Sequence, residues 1–70
     1  MITYTQLVDL YTSLHMQNAG VISFNSDTYS MIFKGITTSE MLATSKALNA
    51  TGFKNEIILQ DSLLYKMKFI

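Results

Sequence analysis

Residues 36–41, Ile-Thr-Thr-Ser-Glu-Met, lie at the midpoint of the chain and carry a complete helix-start signal. Thr37 stands at the N-cap position, where its hydroxyl can accept a hydrogen bond from the backbone N–H of Glu40. The Glu40 carboxylate can accept a second bond from the N–H of Thr37. Ile36 and Met41 flank this capping box as a hydrophobic staple. The segment therefore predicts that a helix begins in the middle of the chain.

Residues 2–7 carry the same device at the start of the chain. Thr3 is the cap, Gln6 its capping-box partner, and Ile2 and Leu7 form the staple. Apolar residues at helical spacing then predict helices over about residues 4–17 and 38–50. The first helix has a broad stripe and the second a thinner one: Tyr4, Leu7, Val8, Leu10, Tyr11 and Leu14, then Met41, Leu42, Ser45 and Leu48.

Four further segments predict strands over about residues 21–25, 28–34, 53–60 and 63–69. Polar clusters at residues 25–27 and 60–62 are typical of hairpin turns. Alternation along the last three strands predicts which side chains point into the core. The inward set is Tyr29, Met31, Phe33, Phe53, Ile57, Leu59, Leu63, Tyr65, Met67 and Phe69.

A shift of 34 residues superposes the two helix starts and several later positions. Ile2, Thr3, Leu14, Asp27 and Lys34 fall on identical residues, although the first strand of each hairpin needs a one-residue adjustment. An α-β-β unit of this size cannot bury its own apolar face, whereas two units can share one core. We therefore predict an α+β fold of two tandem α-β-β units, with a four-stranded antiparallel sheet and both helices on one face. The 70 residues form one domain in this interpretation, with halves of about 1–35 and 36–70.

The composition excludes several classes of protein. The chain has no cysteine and a single histidine, so neither a disulfide framework nor a multi-histidine metal site is expected. The apolar content of 49% is too high for a disordered chain, yet no apolar run is long enough to span a membrane. Without a recognisable secretion signal, a cytoplasmic location is expected.

Five lysines balance five acidic residues, and arginine is absent. The missing net positive field and the missing guanidinium fork make nucleic acid a less favoured partner. Arg, Pro, Trp and Cys are absent while Ile, Lys, Asn, Met, Phe and Tyr are plentiful, which is typical of AT-rich coding sequences such as those of many bacteriophages and mobile elements.

The ionisable residues do not form a recognisable catalytic pattern. His15 and Asp9 are six residues apart, so they do not share a helix face. Asp27 and Asp61 occupy equivalent turns, where an acid pair or cation site is the alternative to ordinary turn residues that bond their own backbone. The glycines are isolated, so no phosphate-binding loop is present. We predict that the chain is not an enzyme and has no cofactor or metal.

The outward side of the strands mixes lysines with branched aliphatic residues and predicts a contact surface. The candidate partner-binding residues are Ile32, Lys34, Lys54, Ile58, Leu64, Lys66 and Lys68. We expect a small protein-binding modulator, encoded by a phage or mobile element, that inhibits or redirects a larger host protein. The modulator could itself be a homodimer through the same surface. The alternatives are a nucleic-acid-binding regulator that uses the lysines and a self-associating structural subunit. Lysines that simply protect a solvated sheet from aggregation would give the same pattern.

Overall fold

The computed structural model describes residues 1–70 and contains two helices and one four-stranded antiparallel sheet. In chain order the elements are α1 (Tyr4–Met16), β1 (Val21–Asn25), β2 (Ser30–Lys34), α2 (Thr38–Ala50), β3 (Asn55–Asp61) and β4 (Leu64–Phe69). The strand order across the sheet is β1-β2-β4-β3, so the two hairpins meet at β2 and β4. The predicted α+β fold with a four-stranded antiparallel sheet is confirmed, and the order α-β-β-α-β-β is consistent with two tandem units.

Both helices begin with the predicted capping boxes. Thr3 Oγ1 accepts from the Gln6 N–H at 3.1 Å, and Gln6 Oε1 accepts from the Thr3 N–H at 2.9 Å. Thr37 and Glu40 form the same two bonds at 3.3 and 3.1 Å. All four staple residues are buried, so each cap also fixes the angle at which the chain enters its helix. The buried staple residues are Ile2, Leu7, Ile36 and Met41.

One apolar cluster lies between the helices and the sheet. Its centre is the contact of β2 with β4, where Met31 faces Met67 and Phe33 faces Tyr65. Burial of such a side chain contributes about 1.5–3 kcal/mol to folding. The twelve buried members come from every element except β3: Ile2, Leu7, Leu14, Val21, Met31, Phe33, Ile36, Met41, Leu48, Tyr65, Met67 and Phe69.

The 34-residue period of the sequence recurs in the geometry. α1 and α2 each have 13 residues and begin at Tyr4 and Thr38, and the central strands begin at Ser30 and Leu64. Ile32 pairs with Lys66, and the register runs symmetrically to either side of this pair. A pseudo-twofold axis through that pair therefore relates β2 to β4.

A β-bulge supplies the one-residue adjustment that the repeat requires. Val21 pairs with Phe33, whereas Ser23 pairs with Ile32, so Ile22 is the extra residue on β1. The insertion puts Phe24 beside the core and leaves Ile22 largely exposed. Without it, the inward residues of β1 would point away from the helices after the first position.

The strand ends differ from the predictions at three residues. The alternation predicts Tyr29 and Leu63 within strands with inward side chains, but both lie in the hairpin turns with φ of +48° and +55°. Tyr29 still packs against the core, as predicted. A left-handed residue interrupts the two-residue alternation, so Leu63 is half exposed. Leu59 lies on the helix side of the sheet but remains 63% exposed, because β3 is an edge strand with a neighbour on one side only.

The buried stripes of the helices are narrower than predicted. Tyr4 is 56% exposed and Leu42 is 57% exposed. Each helix packs on the sheet along one face. Side chains about 100° around the helix axis from that face therefore remain in solvent. On α2 the buried face is Met41, Ser45 and Leu48.

Candidate protein-binding face

The side of the sheet opposite the two helices carries no covering layer, and we call it the open face. Strand alternation and pairing place all seven candidate residues there. They are Ile32 on β2, Lys34 at its end, Lys54 just before β3, Ile58 on β3, and Leu64, Lys66 and Lys68 on β4. The structure thus brings the predicted set together, while its role in binding stays a prediction.

The centre of the open face is a row of three side chains on adjacent strands. Ile32 pairs with Lys66, and Lys66 pairs with Ile58. Neighbouring strands lie about 4.8 Å apart, so the three residues form a continuous strip. Lys66 is half-buried between the two isoleucines, which allows its alkyl stem to cover apolar surface while the ammonium reaches solvent.

Two flanking rows add the other candidates. Lys34 pairs with Leu64 on one side of the central strip. On the other side Lys68 faces Glu56. Lys54 lies beyond them, where its carbonyl accepts a hydrogen bond from the Ile70 N–H at 2.9 Å. The outer lysines therefore surround a central strip in which Lys66 lies between two isoleucines.

Charge is distributed unevenly between the open face and the rest of the molecule. Four of the five lysines lie on the open face, and Lys46 on α2 is the fifth. Glu56 and Asp61 are the acidic residues among the paired positions of this face. The other acids stand on the helices or at the first hairpin turn: Asp9, Glu40 and Asp27. The face consequently has a net positive charge although the whole chain is neutral.

The aromatic side chains do not contribute to the open face. Phe33, Tyr65 and Phe69 are buried on the helix side, as the alternation predicts. The Tyr65 hydroxyl makes a hydrogen bond with the Thr38 hydroxyl of α2, which satisfies the polar end of that buried ring. Proteins that bind single-stranded nucleic acid usually stack bases on exposed rings, and this face offers none.

The titratable residues considered for chemistry lie apart. Asp27 belongs to the turn before Ser30, which pairs with Lys68, whereas Asp61 pairs with Leu64 beside Lys34. The two carboxylates are therefore at opposite ends of the sheet, which rules out the acid-pair alternative. His15 is exposed and stacks on Tyr11, with ring centroids 5.9 Å apart. No three His, Asp or Glu side chains cluster closely enough to hold a metal ion.

Two shallow clefts also lack a catalytic constellation. One, of about 310 Å³, lies between the end of α1 and the start of α2, with Glu40 as its ionisable residue. Hydrogen bonds from the Thr37 side chain and backbone lower the pKa of Glu40, so this carboxylate is already engaged as a helix cap. The other, of about 400 Å³, lies at the second hairpin turn between Lys34 and Asp61. The absence of enzyme activity stays a prediction.

A polar cluster on α2 and β3, in which Ser45 and Asn55 are buried, was not predicted from the sequence. Ser45 Oγ donates to Asn55 Oδ1 at 2.5 Å, and the Asn55 N–H donates to Asn49 Oδ1 at 3.1 Å. Asn55 shares the parity of Ile57, so the alternation itself placed this amide on the helix side. No buried side-chain polar atom lacks a partner, so the buried groups of this cluster are fully hydrogen-bonded.

Comparisons of the chain with protein families, with curated proteins and with solved structures find no match. Neither helix combines the length and hydrophobicity that crossing a membrane requires. The functional proposal consequently rests on the open face.

Proposed function

We propose that this chain is a small non-enzymatic binding module that docks a larger protein on its open face and thereby inhibits or redirects it. The observation that supports the proposal is the central strip of Ile32, Lys66 and Ile58, surrounded by further lysines on a sheet face without a covering layer. Protein interfaces combine an apolar centre with a polar rim, and here the two isoleucines and the alkyl stem of Lys66 supply the apolar part.

The charge of the open face favours an acidic partner surface. Lys34, Lys54 and Lys66 have no acidic residue opposite them in the sheet, whereas Lys68 faces Glu56. Complementary potentials steer association and select among partners. A partner with carboxylates around an aliphatic patch would match both features of the face.

A nucleic acid would also be attracted by the lysines, but the face lacks two features of such binders. It has no exposed aromatic ring for base stacking and no arginine for bidentate phosphate contacts. We therefore favour a protein, in a cytoplasmic setting, and the compositional bias makes a bacterial host the place to search for it.

The test is an affinity capture from bacterial lysate with tagged wild-type protein and two single-charge variants. Lys66→Glu reverses the central charge of the open face, and Lys46→Glu makes the same change on α2 in the opposite layer. We expect a stoichiometric protein to bind the wild type and the Lys46→Glu variant after nuclease treatment. The Lys66→Glu variant should bind it at least about tenfold more weakly, a loss of about 1.4 kcal/mol.

Equal binding by the Lys66→Glu variant would exclude the open face as the docking site. Loss of all binding after nuclease treatment, with affinity that falls steeply as salt increases, would instead establish the nucleic-acid alternative. Circular dichroism of both variants controls for folding.

A further inference from the structure

The two edges of the sheet differ in their readiness to pair with another strand. β1 and β3 are the outer strands, and an outer strand presents unpaired N–H and C=O groups along one side. β1 has five residues and β3 has seven. The length and regularity of the two edges decide which of them can extend the sheet.

The edge formed by β1 is interrupted by the bulge at Ile22. Outward backbone groups on a regular strand recur every second residue, which is the spacing that a new strand must match. The extra residue between Val21 and Ser23 breaks this spacing within a strand of five residues. β1 is thus a protected edge.

The edge formed by β3 keeps the regular spacing from Asn55 to Leu59. The Ile70 N–H donates to the Lys54 carbonyl at 2.9 Å, so Lys54 directs its backbone groups toward β4. Alternation then directs the backbone groups of Asn55, Ile57 and Leu59 away from β4. Asn49 Oδ1 already accepts from the Asn55 N–H at 3.1 Å. Ile57 and Leu59 therefore form the part of the edge that is free to pair.

The side chains at this part of the edge are aliphatic. Ile58 is 41% exposed and Leu59 is 63% exposed. Ile57, the residue before them, is half-buried. Protected edge strands usually carry a charge, a proline or a bulge at their centre. Here the first charge on either side is Glu56 or Asp61, and the irregularity of β3 lies beyond Leu59.

We propose that a second copy of this chain pairs with β3, antiparallel, with Ile58 opposite Ile58 of the second copy. The β3 sequence is self-complementary in this register: Ile57 faces Leu59 of the second copy, and Glu56 faces Gln60. No like charges are opposed, and the outward groups of Ile57 and Leu59 meet their equivalents. A register two residues away in either direction would place Ile58 opposite Glu56 or Gln60.

The resulting homodimer has one continuous eight-stranded sheet with a twofold axis at Ile58. An axis perpendicular to the sheet leaves both open faces on the same side. The central strip of Ile32, Lys66 and Ile58 then continues into the strip of the second copy, which doubles the proposed docking surface. The dimer itself does not depend on the proposed function.

Sedimentation velocity tests the dimer from about 1 µM to about 1 mM, the range of moderate and weak association. The wild type should reach twice the monomer mass of 7.9 kDa. Leu59→Lys places a charge on the exposed edge outside the open face, and this variant should remain at the monomer mass. Ile22→Lys places the same charge on the 53% exposed residue of the other edge and should dimerise like the wild type.

Three results would overturn the proposal: a wild type that stays monomeric throughout, a Leu59→Lys variant that still dimerises, or an Ile22→Lys variant that does not. Hydrogen exchange adds a residue-level measurement. The reference is the Ile57 amide of the monomeric Leu59→Lys variant. In the wild-type dimer the amides of Ile57 and Leu59 should exchange at least about tenfold more slowly than this reference amide. Unchanged exchange in a confirmed dimer would place the interface elsewhere. Thermal unfolding of each variant controls for folding.

Discussion

The two α-β-β units hold their helices against the sheet by different chemistry at equivalent positions. In residues 1–35 this helix–sheet contact, which we call the first seam, is aromatic. In residues 36–70 the second seam is polar. The positions correspond through the 34-residue shift: Tyr11, His15 and Val21 in the first seam, and Ser45, Asn49 and Asn55 in the second.

The second seam is a closed hydrogen-bond network. Asn55 Oδ1 accepts from the Ser45 hydroxyl at 2.5 Å, while Asn55 Nδ2 donates to the carbonyls of Ser45 and Phe53 at 3.3 and 2.9 Å. Asn49 adds bonds to the Ser45 carbonyl and the Asn55 N–H at 2.9 and 3.1 Å. The side chains of Ser45 and Asn55 are buried, so these bonds replace those to water.

The first seam uses ring contacts instead. Tyr11 packs on Phe24 of β1 with ring centroids 4.8 Å apart, and His15 stacks on Tyr11 at 5.9 Å. Val21 is buried where the second seam has Asn55. Because both seams leave every buried polar side-chain atom satisfied, the same backbone accepts either solution. Side-chain chemistry can therefore diverge while caps and strand pairing preserve the unit.

The largest effect is expected from making the second seam apolar at one position. Asn55→Val leaves the Ser45 hydroxyl without its buried acceptor, and we expect a loss of about 1–3 kcal/mol in the free energy of unfolding. The double variant Asn55→Val/Ser45→Ala removes both partners and should recover most of that loss. Urea unfolding of the single and double variants measures the difference. Additive losses would show that the two side chains do not act as a pair.

A smaller effect is expected from removing the ring pair of the first seam. Tyr11→Leu keeps an apolar side chain but loses the contact with Phe24, which should lower the free energy of unfolding by about 1 kcal/mol. His15→Ala is the matched control on the exposed side of the same ring and should change stability by less than about 0.5 kcal/mol. An equal loss in both variants would place the stabilising contact between Tyr11 and His15.

The smallest expected effect is a pH dependence of stability that distinguishes the capping box of α2 from that of α1. Hydrogen bonds from Thr37 lower the pKa of Glu40 below its ordinary value of 4.5, so the folded state favours the ionised carboxylate. The stability that this preference contributes is present above pH 4.5 and is lost as the pH falls through the lowered folded pKa. The difference in Tm between wild type and Glu40→Gln should therefore narrow in acid.

Gln6→Glu supplies the reciprocal control for the cap prediction, because it gives α1 the titratable partner that α2 already has. This variant should acquire a pH dependence of Tm of the same sign. Parallel melting curves of wild type and Glu40→Gln at every pH would contradict the role of Glu40.

Much of the candidate site was predictable because strand alternation is a local property. Ile32, Ile58 and Lys66 were predicted on one side of the sheet, and the strand register places them in one row. The row itself was not predictable, since it depends on β4 lying between β2 and β3. Asn55 was not predicted as a core residue because its side-chain partner Ser45 and its backbone partner Asn49 belong to another element, α2.

The sequence alone determined the helix starts, the four strands and the faces of most strand residues, because capping boxes and alternation act over a few neighbouring residues. Only the tertiary structure decided the strand order, the bulge at Ile22, the exposure of Leu59 and the polar seam at Asn55. These features result from competition among distant segments for the same partners and the same buried volume. No local pattern contains the outcome of that competition.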